Sequence, residues 1–85
     1  MRYRLVYTRR AERDIELLHP HVKERLEKAL RRFEGDPLGH AEKLTQPKLG
    51  SYRFRIGDYR VIFDLEGAEI VILRVGHRRE IYKRG

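Results

Sequence analysis

The stretch Tyr52-Arg53-Phe54-Arg55-Ile56-Gly57-Asp58-Tyr59-Arg60-Val61-Ile62-Phe63 restricts what this chain can fold into more than any other. Apolar and arginine side chains alternate on both sides of Gly57-Asp58, and a period of two is that of a β-strand, whose side chains point to opposite faces in turn. A two-residue Gly-Asp connection suits a type II′ hairpin turn. With that turn, Ile56 opposes Tyr59, Arg55 opposes Arg60, Phe54 opposes Val61 and Arg53 opposes Ile62. Opposed residues share a face. One face therefore carries Tyr52, Phe54, Ile56, Tyr59, Val61 and Phe63 and must be covered, while Arg53, Arg55 and Arg60 gather on the other.

The first half of the chain supplies the cover. Tyr3, Leu5 and Tyr7 alternate with Arg2, Arg4 and Val6 as a short strand, and Thr8 is placed to cap a helix with its hydroxyl. Ala11, Ile15 and Leu18 fall on one helical stripe, which should stop near His19-Pro20 because proline disfavours a helical residue before it. Val22, Leu26, Ala29, Leu30 and Phe33 form a second stripe, ended by Gly35-Asp36-Pro37. Leu38 to Lys48 reads as a loop with at most a short turn of its own. Leu49–Ile56, Tyr59–Leu65 and Ala68–Val75 read as three strands, with Glu66-Gly67 as the second hairpin turn and Glu80–Lys83 as a short extended return along the edge. The expected class is α+β, in the order β-α-α-β-β-β, with a helical hairpin packed on one face of a small, mainly antiparallel twisted sheet.

Eighty-five residues hold one domain, read over 1–85, with one modest core, which excludes paired nucleotide-binding lobes and barrel enzymes. No cysteine is present, so disulfides, thiolate catalysis and Cys-ligated zinc are excluded. None of His19, His21 and His40 stands at metal-ligand spacing with His77, and no metal or cofactor is expected. The N-terminus lacks the apolar run of a signal peptide and no window approaches a membrane span, so the expectation is a cytoplasmic domain without membrane contact. The net charge of +7 is spread over both halves and selects nucleic acid, an anionic surface or an acidic protein as partner.

Two clusters carry possible chemistry. Three guanidinium groups on one hairpin face, with no carboxylate at the opposed positions, either await an anion such as a phosphodiester or form a solvated face paired to Asp64 or Glu69. The second cluster is Arg74-Val75-Gly76-His77-Arg78-Arg79-Glu80-Ile81-Tyr82, in which Gly76 lets the backbone turn and a single β-bulge would exchange the two sides. His77 is a base or a surface residue. Tyr82 is a phenol available for stacking or an edge aromatic, and Glu80 pairs with Arg78 or takes part in acid–base work. Cations and a phenol can supply much of RNA phosphodiester cleavage without a metal, because RNA brings its own nucleophile: the protein aligns the 2′-OH, removes its proton, neutralises the phosphorane and protonates the leaving oxygen. DNA lacks that hydroxyl.

Across essentially its full length the chain resembles the RelE/ParE toxin superfamily, most closely its RelE side. The resemblance rests on Tyr3-Arg4-Leu5-Val6-Tyr7-Thr8, Ala11, Asp14-Ile15, Pro37, Lys43-Leu44, the RxGxYRxxF stretch Arg55 to Phe63 and the VGHRxxxY stretch Val75 to Tyr82. It implies a RelE-like fold with a microbial-RNase-like surface and a ribosome-dependent, metal-independent endoribonuclease, an mRNA interferase that cuts mRNA in the ribosomal A site by 2′-OH attack and so inhibits translation. By that similarity Arg60, Arg78, Tyr82 and Arg55 are catalytic, and Arg53, Arg55, His77 and Arg79 bind substrate. Arg53 and Arg55 fall where well-studied members carry lysines, and a guanidinium is a poor base beside an amine. The implied partners are a RelB-like antitoxin, the ribosome with its mRNA, and operator DNA reached through the antitoxin in a heterotetramer. The alternatives are a ParE-like toxin of DNA gyrase and a noncatalytic basic module that binds RNA or ribosomes.

Overall fold

The computed structural model describes residues 2–45 and 49–82. The arginine hairpin forms in the expected register: β3 (Tyr52–Ile56) runs antiparallel to β4 (Tyr59–Glu66), pairing Ile56 with Tyr59, Arg55 with Arg60, Phe54 with Val61 and Arg53 with Ile62. Gly57 has a φ of +60° and Asp58 stays at negative φ, as a type II′ turn requires of its first two central residues. β4 pairs antiparallel with β5 (Glu69–His77), and β1 (Arg4–Tyr7) lies parallel on the far side of β5.

Helices α1 (Arg9–Glu16) and α2 (Pro20–Phe33) cover one face of this sheet. Thr8 starts the first: its Oγ1 accepts from the Ala11 amide at 3.1 Å and donates to the Ile72 carbonyl at 3.0 Å, so one hydroxyl caps α1 and ties it to β5. Pro20 occupies the first turn of α2, where its missing N–H costs nothing. Ala11, Leu26, Ala29, Leu30 and Phe33 meet Phe54, Ile56, Val61, Phe63, Ile70, Ile72 and Val75 in one core. Phe54 is at its centre, tilted against Phe33 at 4.6 Å and stacked on Phe63 at 4.2 Å between ring centroids.

The sequence expectation needs several corrections. Leu38 to Lys48 is not simply a loop: α3 (Pro37–His40), capped by Asp36, leads into β2 (Ala41–Lys43), which pairs antiparallel with β3. The sheet thus has five strands in the order β1-β5-β4-β3-β2. The three residues Ala41-Glu42-Lys43 are too few to show alternation and lie at an exposed edge, which is why they read as loop. β3 starts at Tyr52 and not Leu49, and the second hairpin turns at Gly67-Ala68, because Glu66 and Glu69 are still paired. α1 ends at Glu16; Leu18 packs on the core while Leu17 lies in solvent. Glu80 to Tyr82 form turns and not an extended return, and Lys83 lies outside the described residues.

A β-bulge decides which side chains of β5 meet the arginines. Ile62 pairs with Arg74 but Phe63 pairs with Ile72, so Leu73 is an extra residue that exchanges the faces of β5. Core residues Ile70 and Ile72 before it are followed by Val75 after it. Beyond Ile72, β5 has no partner from β1, and α1 fills that place: Asp14 Oδ2 accepts from the Val75 amide at 2.9 Å and from Arg74 Nε at 2.8 Å. The Asp14→Ala change is therefore expected to cost about 2 kcal/mol, because it leaves a strand amide and a guanidinium without their acceptor. Urea unfolding checks this, with Asp14→Asn losing distinctly less.

Candidate functional site

The face opposite the helices holds Arg53, Arg55, Arg60, Arg78 and Tyr82. Arg60 is its base. It sits in β4 between Arg55 of β3 and Gly76 of β5, and only 5% of its surface is exposed. One terminal nitrogen donates to the carbonyls of Gly57 and Tyr59, both at 2.9 Å. Among the described residues no carboxylate pairs with Arg60. Burial, and then the charges of Arg55, Arg53 and Arg78, pull its pKa down, with Tyr82 acting the other way. Removing an unpaired charge from water costs several kcal/mol as a rule, so this arrangement favours any anion that reaches it.

The C-terminal turn brings the second cluster to the first. The Arg78 amide donates to the Asp58 carbonyl at 2.7 Å, which fastens the end of β5 to the hairpin tip. The Arg78 side chain is half exposed, with Nε 3.8 Å from an Asp58 oxygen. Ile81 is buried, which directs the chain so that Tyr82 follows over the sheet. Arg53 donates to the Tyr82 hydroxyl at 2.7 Å and its guanidinium stands 5.9 Å from the ring centroid. That bond, and then the one to Glu42, raises the pKa of Arg53.

Glu42 is the site residue that the sequence reading missed. From β2, its carboxylate accepts from Arg53 Nε at 2.8 Å and lies 3.6 Å from Arg55. The carboxylates proposed as counter-ions from sequence are used elsewhere: Asp64 accepts from the Ser51 amide, and Glu69 pairs with Arg4. Lys43 opposite Tyr52 in the β2–β3 register is the consequence of the edge strand that also places Glu42 opposite Arg53. Only recognition of that strand would have revealed Glu42.

His77 is not brought to the arginines. It pairs with Tyr59, on the helix-facing side, and its ring meets Tyr59 edge-on at 5.4 Å. Its Nδ1 accepts from the Arg79 amide at 3.1 Å. The Arg79 side chain is exposed in the turn. Among the described residues no group of three His, Asp or Glu side chains is arranged to hold a metal ion. A concavity of about 710 Å³ lies between α1, α2 and β1, away from Arg53, Arg55, Arg60 and Arg78.

This constellation can hold a phosphate against four guanidiniums, with one phenol and one carboxylate at its margin. The comparisons with known proteins agree with a fold of this kind. A family model described as the ParE toxin of the type II toxin-antitoxin system, parDE, matches residues 5–82. The chain belongs to the RelE/ParE toxin superfamily. Toxin RelG of Mycobacterium tuberculosis is 34% identical over 87 residues, covering 99% of this chain and all of that protein. The toxin-antitoxin complex RelBE2 of M. tuberculosis contains a chain of 30% identity that superposes with a TM-score of 0.81, over 92% of this chain and 100% of that one. The archaeal RelE-RelB complex of Pyrococcus horikoshii gives 26% identity and a TM-score of 0.76, over 94% and 99%. Among the described residues no helix of the toxin is long and apolar enough to cross a membrane.

The paired carboxylate gives the site a pH signature. Its bond from Arg53, reinforced by the charges of Arg53 and Arg55, holds the Glu42 carboxyl below its ordinary value of 4.5. The folded carboxyl takes up its proton less readily than the unfolded one, so the pairing stabilises the fold above about pH 4.5 and is lost as pH falls through the folded midpoint. A carbon-detected NMR titration should place Glu42 below 4.5 in the native toxin and move it back towards that value in Arg53→Gln.

Proposed function

We propose that this toxin is a ribosome-dependent endoribonuclease that cuts mRNA in the ribosomal A site, using the 2′-OH of the substrate as nucleophile. The observation that carries this reading is Arg60, a nearly buried guanidinium held by two carbonyls, near the charges of Arg55 and Arg78 and, among the described residues, without a carboxylate partner. Such a group is placed beforehand where negative charge arrives, so little reorganisation accompanies the reaction.

In this reading Arg60 holds the scissile phosphate, and Arg55 and Arg78 meet the charge that develops on the phosphorane and on the departing 5′ oxygen. Tyr82, fixed by Arg53, stacks on or orients a base. Arginine does not accept a proton at physiological pH. Glu42, ionised and in contact with Arg53 and Arg55, is the acceptor available to the 2′-OH, a role the arginines at 53 and 55 cannot take. An acceptor with a lowered pKa is a weak base, which agrees with an enzyme that relies on the ribosome for alignment. His77 faces away and has no part in this step, and Arg79 serves as an outer contact to RNA.

The toxin-antitoxin complexes among its relatives support a RelB-like antitoxin as its partner. In this reading the antitoxin covers the basic face and, in a heterotetramer, carries the toxin to operator DNA. Its place of action is the cytoplasm, where ribosomes are. The ParE name of the family model favours DNA gyrase as the second target to test.

The test is 5′-end mapping of a defined mRNA with purified toxin, with and without programmed ribosomes. Cuts within the A-site codon that require ribosomes, and that fall by a factor of about 100 to 1,000 in Arg78→Ala, are the expected outcome. Glu42→Gln should lower the rate while leaving ribosome binding unchanged. No cleavage under any condition, with gyrase inhibited instead, would move the toxin to the ParE activity.

A further inference from the structure

Arg25 of α2 lies outside the site just described, yet it touches the same turn. Its guanidinium rests on Gly57: a β-carbon built there would stand 2.7 Å from one terminal nitrogen and 3.1 Å from the central carbon. The carbonyl of that glycine accepts from Arg60. One residue thus carries a guanidinium on each side, Arg60 from the sheet face and Arg25 from the helix face. Glycine permits both features, since the turn needs positive φ and the close approach needs an absent side chain.

The neighbours of Arg25 on α2 are paired along the helix, Lys28 with Glu24 at 3.3 Å and Arg31 with Glu27 at 2.9 Å. Arg25 is exposed and, among the described residues, has no carboxylate partner. A solvated helix face gives no reason for its guanidinium to lie on a β-turn. Two cations on one residue, one nearly buried and one open, match the repeating charge of a polynucleotide backbone better than scattered surface cations do.

We propose that Arg25 is a second phosphate-binding residue, and that single-stranded RNA with one phosphate at Arg60 crosses the hairpin tip at Gly57 and sets a neighbouring phosphate on Arg25. This rests on the RNA reading of the arginine face and extends it to the helix side. Arg25 is then a binding residue and has no contact with the reacting atoms. It fixes the direction in which the strand leaves the site.

The experiment measures affinity against salt for a 2′-O-methylated RNA octamer, which cannot be cleaved by its own 2′-OH. Each phosphate neutralised in a single strand contributes about 0.7 to the slope of log K against log salt. Arg25→Gln should lower the slope by about that amount, while Arg31→Gln, which removes the same charge about a third of a turn round α2 and from a pair with Glu27, should leave it unchanged. A dinucleoside monophosphate, with its single phosphate, should bind wild type and Arg25→Gln alike. Equal slopes for wild type and Arg25→Gln on the octamer overturn the proposal and leave the Arg60 site standing. An octamer that does not bind the wild type overturns the Arg25 proposal, while the ribosome-dependent reading stands or falls by the end-mapping experiment. If an octaglutamate peptide shows the same loss in Arg25→Gln, Arg25 belongs to an acidic protein partner and not to RNA.

Discussion

A guanidinium buried without a carboxylate is the constraint around which the other parts of this toxin are arranged. Arg60 gives up water for two backbone carbonyls, and its charge is opposed by Arg55, Arg53 and Arg78. Alone, such an arrangement would work against folding. It persists because the hairpin of β3 and β4 is held from its other face by a cluster of three phenylalanines, and the apolar area buried there far outweighs one unfavourable charge. The core and the site are thus two faces of one hairpin. The same period of two that sends Phe54 and Val61 inward sends Arg55 and Arg60 outward, and a shift of one residue would destroy both together.

The C-terminal cluster reaches that hairpin through two local devices. The bulge at Leu73 exchanges the faces of β5, so that Val75 enters the core and Gly76 stands beside Arg60. Asp14 then satisfies the Val75 amide, which β1 is too short to reach. α1 acts here as a substitute for the missing edge strand, and its carboxylate decides where the backbone leading to Arg78 lies. From there the Arg78 amide closes on Asp58, and the buried Ile81 places Tyr82 against Arg53.

How much of this was legible in the sequence depends on the length of each signal. The β3–β4 register was readable because six apolar residues and three arginines alternate around a glycine turn, and the helices were readable from their apolar stripes and from Thr8 and Pro20. β2 was not, because three residues at an edge take their strand identity from pairing with β3 and not from their own pattern. With β2 went Glu42, the carboxylate that meets both Arg53 and Arg55. The facing of His77 was equally hidden, since it depends on the bulge, and a bulge is set by packing on both sides of a sheet. The family resemblance supplied the fold and the arginine set but could not supply these two positions.

Arginine at positions 53 and 55 alters the division of labour within the site. A lysine there would offer one mobile charge and, when desolvated, an amine able to accept a proton. A guanidinium offers a planar fork and keeps its charge. Arg53 uses that fork on two partners at once, Glu42 Oε1 through Nε and the Tyr82 hydroxyl through a terminal nitrogen, which one ammonium could not orient in the same way. Rigid placement of the phenol and the carboxylate is the gain, and loss of an amine base is the cost. Arg53 is thereby committed to its two partners, and Arg60, with no carboxylate partner among the described residues, keeps the charge that this face presents.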